Sequence, residues 1–289
     1  MGYSACALGR ILFSEGWRVG GSCRDDSNRE SLSAQGFESV VLNGESPAVV
    51  LNGAAPGAGF DDFLSGATHL LVSAPPGAAG DPFLLKFAGQ IARLKNLQWA
   101  GYLSTTGVYG DRNGDWVDEA SPLQPTGDRG QRRVDAEAAW LELWRDHEIP
   151  VHIFRLAGIY GPGRNQISKV RAGAAKRIDK PGQVFSRIHI DDIAGVLRAS
   201  IQRPNPGAVY NVCDDEAAPP SDVIAFIAAQ IGVAPPPLTP FEDAELSAMG
   251  RSFYRDNKRV SNRRIKEELG VDLKWPDYRV GLMGIISCA

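Results

Sequence analysis

Cysteine is scarce: Cys6, Cys23, Cys213 and Cys288 are scattered over 289 positions. That spacing offers neither a paired-ligand motif nor a disulfide framework, and it fits reduced thiols in a cytoplasm. His69, His147, His152 and His189 show no metal-ligand spacing, so no metal is expected. No apolar run reaches the roughly 18 residues of a membrane span. Residues 1–16 lack the basic start and small-residue cleavage site of a signal peptide. A basic excess is missing too. With 31 Lys and Arg against 34 Asp and Glu, the formal net charge of −3 gives no general attraction to nucleic acid or to an anionic membrane. Neither an internal repeat nor a low-complexity tract is present. These absences lead us to expect a cytoplasmic globular protein of one large domain or two smaller ones.

What is present is an alternation of strand-like and helix-like segments through the first half, the pattern of a parallel sheet covered by helices on both faces. A helix is predicted over residues 6–15, with Ala7, Leu8, Ile11 and Leu12 on one face and Gly16 as its stop. Strands are predicted at 18–22, 39–42, 69–73, 99–104 and 151–156, with a helix at 131–146 before the last. They are buried-strand runs, not alternating ones. Past Tyr160, loops rich in Gly and Pro separate short elements. Helices are predicted at 221–231, capped by Ser221, and at 262–269, between Ser261 and Gly270. Residues 46–59 have the composition of a loose Ala/Gly/Pro loop.

Met1-Gly2-Tyr3-Ser4-Ala5 stands directly before the first helix, where a dinucleotide-binding α/β fold places G-x-G-x-x-G/A. Only the last four positions of that motif, Gly2, Tyr3, Ser4 and Ala5, are here. Gly2 would let the backbone approach a pyrophosphate and Ala5 would pack helix against strand, while helix N–H groups face the phosphates. The glycine of the tight turn and the strand before it are missing. In a sheet ordered 3-2-1-4-5-6 that strand is central, so the strands at 18–22 and 69–73 are expected to lack a neighbour along one edge each. The start of the sequence is therefore expected to lie inside a longer natural reading frame.

At the end of the strand at 18–22, Ser22 stands where an NAD site would place a ribose-binding carboxylate, and Arg24 follows. Hydroxyl plus guanidinium suits a 2′-phosphate, so NADP is the expected cofactor and NAD the alternative. Asp25 and Asp26 oppose NADP, and a solvated surface Arg24 is the plainer reading.

Leu103-Ser104-Thr105-Thr106-Gly107-Val108-Tyr109-Gly110 is similar to the S-S/T-x-x-V-Y-G strand end of the extended short-chain dehydrogenases/reductases. Arg155-Leu-Ala-Gly-Ile-Tyr160-Gly-Pro-Gly163 resembles their R-x-x-x-x-Y-G-P-G, Arg187-Ile-His189-Ile-Asp191-Asp192-Ile-Ala194 their H-V-D-D-x-A, and Val209-Tyr-Asn211-Val their Y-N-V. The resemblance runs from residue 2 almost to the C-terminus, and bacterial NAD-dependent epimerase/dehydratase-like proteins share it. It implies a Rossmann-type doubly wound parallel sheet in residues 1–160 and 188–213, first strand missing, with a smaller C-terminal substrate-binding part in 161–187 and 214–289. It also implies that the Thr105 hydroxyl hydrogen-bonds a small-molecule substrate, and that Ala74, Pro75, Ser104 and Leu156 border the cofactor. A homodimer is compatible with it. Thr105 as a simple strand-end cap is the plainer alternative. Tyr109, Tyr160, His189 and Asp192 are expected to be framework residues, with Asp191 or Asp192 capping a helix from Ile193.

The chain departs from the family where Tyr-x-x-x-Lys belongs, because Arg129 aligns with the tyrosine and Arg133 with the lysine. A tyrosine beside a lysine exchanges a proton near neutrality, whereas a guanidinium keeps its proton. Arg129 and Arg133 can still hold an anionic or carbonyl group of a substrate. The Asp-Glu pair that follows the catalytic threonine of sugar-nucleotide dehydratases is Thr106-Gly107 here, so their elimination has no obvious carrier. Tyr102, Asp111 and Asp128 are open candidates for the proton. Lys258, Arg259, Arg263, Arg264 and Lys266 form the only basic cluster, expected as a solvated helix face or, alternatively, as a contact for an anionic substrate. The expected function is an atypical NADP-dependent oxidoreductase or epimerase-like enzyme, the alternative a non-catalytic NADP sensor.

Overall fold

The structure, a computed structural model, describes residues 1–42, 48–51 and 60–288. Its central sheet has seven strands: β1 (Val19–Cys23), β2 (Glu38–Val41), β3 (Ala48–Leu51), β4 (His69–Val72), β5 (Trp99–Thr105), then Val151–Leu156 and Val209–Val212. Across the sheet the order is Val209–Val212, Val151–Leu156, β5, β4, β3, β1, β2. Every neighbouring pair is parallel except the two made by β3.

β3 corrects two expectations. Residues 48–51 are a strand rather than loop, while 46–47 and 52–59 of the expected loop lie outside the described residues. The edges of β1 and β4 are also not left bare, since Val50 lies opposite both Gly20 and Leu70. A strand in that slot gives the N–H and C=O groups of both neighbours partners, as buried backbone requires. It runs antiparallel because only residues 42–47 separate it from β2, and a parallel return needs a crossover of roughly a dozen residues.

The helices sit on two faces. β1 and β2 are joined by α2 (Asp26–Ser33), while α1 (Tyr3–Ser14) packs with the later helix Ile190–Gln202. The opposite face carries α3 (Phe60–Ser65), α4 (Pro82–Ile91) and α5 (Asp128–His147). Burial on both faces is visible in β4: Leu71 joins the core of Ala5, Leu8, Leu12 and Val196, whereas Leu70 and Val72 join that of Phe63, Phe83, Phe87 and Trp140.

Several element starts differ from expectation for local reasons. α1 begins at Tyr3, so Tyr3, Ser4 and Ala5 form its first turn, and α5 begins at Asp128, which puts Arg129 in its first turn. The helix Pro220–Gln230 starts at Pro220, whose ring-fixed φ suits a first helical position, so Ser221 is not the cap. The helix Ile190–Gln202 is capped by His189, whose Nδ1 accepts from the Asp191 N–H at 3.2 Å. Neither Asp191 nor Asp192 caps it; Asp192 accepts from the backbone N–H groups of Lys274 and Trp275 at 2.8 and 3.0 Å. Gly270 ends Arg263–Leu269 in the left-handed region, φ 65°, as expected. A further core, including Tyr160, Ile167, Ile224, Ile227 and Leu282, holds the C-terminal elements together.

Beyond the strand Val209–Val212, Asp214 is 3% exposed, and among the described residues neither carboxylate oxygen has a hydrogen-bond partner. Burial pushes its pKa from 3.8 up to about 8, against the pull of the Arg187 charge. The folded chain therefore holds a proton that the unfolded chain releases. That contribution to stability is fully present below pH 3.8 and is lost as pH rises toward about 8. Asp214→Asn should make the chain more stable at pH 8.5 than the parent, with little difference at acid pH. Urea titrations at both pH values check this, and an unchanged or less stable variant at pH 8.5 would refute it.

Candidate active site

α1 enters the sheet at the C-terminal ends of the parallel strands. Gly2, extended at φ −108°, heads the helix, and a Cβ placed there would meet Ser73 Oγ at 3.9 Å, so the first turn of α1 stands beside the end of β4. The Met1 ammonium donates to the Ser22 carbonyl of β1. Among the described residues no side chain caps this helix start. Uncapped first-turn N–H groups and the positive end of a helix dipole are suited to a phosphate. Ser4 and Ala5 are buried, and half-buried Tyr3 donates its hydroxyl to the Pro162 carbonyl at 2.9 Å. Ser22 is buried within β1, whereas Arg24 is exposed directly after it.

Ala74 is buried just past β4, Pro75 is exposed, and Leu156 is buried at the end of its strand. Thr105 closes β5, and its Oγ1 accepts from the Gly107 N–H at 3.1 Å, capping the single turn Thr106–Tyr109. This is the plainer reading of Thr105, and it leaves the hydroxyl proton available. Ser104 turns inward instead, donating to Glu137 Oε1 at 2.5 Å.

The two arginines differ in kind. Arg133 donates through Nη1 to the Leu103 carbonyl at 2.7 Å, the Tyr102 hydroxyl at 2.9 Å and the Ala74 carbonyl at 3.3 Å, tying the ends of β4 and β5 together. Arg129, one turn earlier on the same helical face, is exposed and makes no hydrogen bond or ion pair among the described residues. Of the candidate proton carriers, Tyr102 is fully buried, which holds its phenol well above the usual range. Asp111 is occupied by the Asn257 N–H at 2.7 Å, and Asp128 is exposed at the start of α5.

Sequence reasoning missed Glu137. It lies four residues past Arg133 on the same face of α5, 2% exposed, and makes a salt bridge of 2.7 Å with buried Arg155. Arg155 also donates to Tyr109 Oη at 2.9 Å, and Tyr109 donates to Asn211 Oδ1 at 2.7 Å. The arginine, tyrosine and asparagine of three separate motifs thus meet in one buried network. The basic cluster is not one solvated face. Lys258 is 9% exposed and donates to the Gly110 carbonyl at 2.7 Å and to Asp256 at 3.1 Å. Asp256 in turn accepts from Thr126 Oγ1 at 2.5 Å, so the C-terminal segment clasps the loop that leads into α5. The remaining members are paired one by one: Arg259 with the Gly114 carbonyl, Arg263 with Glu267, Arg264 with Glu268 and Lys266 with Asp215.

A doubly wound sheet with an uncapped helix start at its strand ends defines a Rossmann-type dinucleotide-binding protein. The sequence matches the NAD dependent epimerase/dehydratase family over residues 20–213, and the chain belongs to that family of NAD-dependent enzymes. It is similar to Protein YeeZ of Escherichia coli K12, 29% identical over 287 residues that cover 96% of this chain and 94% of that protein. A functionally unknown conserved protein from Silicibacter pomeroyi DSS has a solved structure 52% identical, with a TM-score of 0.90 over 100% of this chain and 96% of the other. UDP-glucuronic acid 4-epimerase from Bacillus cereus, solved with UDP-glucuronic acid and NAD, shares the fold at 15% identity, with a TM-score of 0.72 over 98% and 95% of the two chains. The expected fold class and family are borne out. Among the described residues no helix is long and apolar enough to cross a membrane.

Proposed function

We propose that this chain is an NADP-dependent oxidoreductase or epimerase-like enzyme acting on a small substrate that carries an anionic or carbonyl group. The observation that supports it is the placement of Arg133 on the carbonyls of Ala74 and Leu103 at the ends of β4 and β5, two residues before Thr105, with Arg129 one turn earlier on the same face. The first turn of α1 would hold the cofactor pyrophosphate and Arg24 the 2′-phosphate, with Ala74, Pro75 and Leu156 along the nucleotide. Bound nicotinamide supplies or accepts a hydride. Thr105 Oγ1 is already occupied as an acceptor by Gly107, so its proton is free to donate to a substrate oxygen. Arg129 or Arg133 would hold the anionic or carbonyl group of the substrate. Neither guanidinium relays a proton, so water at the mouth of the site would carry it. Residues 161–187 and 214–289 would form the substrate-binding part, with residues 1–160 and 188–213 as the nucleotide-binding domain.

Thermal-shift titration with NADP, NADPH, NAD and NADH tests the cofactor assignment. Losing a charge-assisted hydrogen bond of about 1.5–3 kcal/mol, Arg24→Ala should weaken NADPH binding by about 10- to 100-fold and leave NADH binding as it was. Equal stabilisation of the parent by NADH and NADPH would sink the NADP reading. A second reading, an NADP sensor without turnover, is favoured by Arg129 itself, which stands in the proton carrier's place and cannot carry one. Different protease sensitivity with NADP and NADPH, together with no hydride exchange on any carbonyl or sugar-nucleotide substrate, would select it.

A further inference from the structure

A second cleft, of about 480 Å³, lies between the Pro162–Gly163 turn, the helix Ile167–Arg171, the start of Ile190–Gln202 and the C-terminal helix Tyr278–Ser287. None of Gly2, Arg24, Ala74, Thr105 or Arg133 lines it. Its volume falls in the range of small-molecule sites, roughly 300–1,000 Å³.

Its walls are apolar where Ile167, Ile285 and Trp275 meet it. Four charged or titratable groups, Arg171, His189, Asp191 and Lys274, give the cleft its sign. Asp191 is already satisfied, since Trp275 Nε1 donates to its carboxylate at 3.0 Å and Lys274 Nζ at 3.3 Å. Arg171, by contrast, is exposed on the cleft with no hydrogen bond or ion pair among the described residues. His189 also lines the cleft and is 2% exposed. Its Nδ1 accepts from the Asp191 N–H, so the proton of the neutral ring is assigned to Nε2. Burial lowers the imidazole pKa and favours that neutral form, and the buried Nε2 has no hydrogen-bond partner among the described residues. The cleft therefore combines an unpaired cation, an unanswered N–H donor and an apolar body, and its one acid is neutralised.

We propose that this cleft binds a small carboxylate with an apolar body, the carboxylate drawn to Arg171 and His189 Nε2 and the body lying against Ile167, Ile285 and Trp275. A donor without an acceptor and a cation without a counter-ion select against neutral and cationic ligands, and the apolar walls select against a bare anion. The site goes beyond the nucleotide-dependent activity and does not depend on it.

Isothermal titration of the full chain with phenylacetate tests this, with phenylacetamide as the uncharged control and acetate as the control without a body. Saturable one-to-one binding of phenylacetate is expected, with both controls about tenfold weaker or more. Arg171→Ala removes an exposed cation and Ile285→Trp fills the cleft, and each should weaken phenylacetate by about tenfold or more. The nitrogen resonance of His189 Nε2 should shift on saturation. NADPH titrations of the same variants should match the parent, which separates failure at this cleft from failure at the nucleotide site. Absence of saturable binding, equal affinity for phenylacetamide, or unchanged affinity in both variants would overturn the proposal.

Discussion

Glu137→Ala should lower the stability of the chain by about 3–5 kcal/mol, the cost of leaving one member of a buried ion pair without its partner. Arg155 is 4% exposed and donates to Glu137 through Nε at 3.1 Å and through Nη2 at 2.7 Å. Removing the carboxylate strands that guanidinium in a core where Tyr109 Oη is its other side-chain acceptor. Ser104 loses its acceptor at the same time, one residue from Thr105. The double variant Glu137→Leu/Arg155→Met removes both charges, so most of the loss should be recovered, because an apolar pair of similar volume avoids the desolvation cost. Urea unfolding of the parent, single and double variants measures this. A single variant as stable as the double would mean that the ion pair does not hold α5 to the strand Val151–Leu156.

Gly110→Ala should be nearly as damaging, by a different mechanism. Gly110 has φ +68°, and a Cβ there would lie 1.8 Å from the Gln124 carbonyl oxygen. With ψ at −154° this is a region essentially reserved for glycine, which costs an ordinary residue about 1–3 kcal/mol, and overpacking costs another 1–3, so about 2–6 kcal/mol should be lost. The contact is with backbone, which cannot swing away, so the Gln124–Pro125 segment must shift. That segment leads into α5, and dinucleotide binding should weaken along with stability because Arg133, which holds the Ala74 and Leu103 carbonyls, moves with the helix. Gly163→Ala is the control. Its φ of +73° is comparable but nothing lies within 4 Å, so only the backbone part, about 1–2 kcal/mol, should appear. Equal losses in the two variants would show that the Gln124 contact is not what confines Gly110.

The sheet was largely legible because a strand covered on both faces must be a short apolar run between turn signals. Val151–Leu156 has the bounds its apolar run predicts, and β5 extends only one residue further than predicted. β3 was not legible. Four residues in an Ala/Gly/Pro-rich stretch carry no periodicity, and their strand conformation comes from the slot between β1 and β4. The cap of Ile190–Gln202 is hidden from the sequence because two aspartates in the first turn look like caps, whereas His189 precedes them and they are engaged by Lys274 and Trp275, more than 80 residues away.

The sequence by itself determined the family and the doubly wound class, because motif identity and hydrophobic periodicity are local properties of the chain. Only the tertiary structure decided how Arg129 and Arg133 are held. Arg133 is bound to carbonyls 59 and 30 residues away while Arg129 is left exposed, and Lys258 is buried against a carbonyl 148 residues away. Whether a charge is held or free depends on partners that no local pattern of residues specifies.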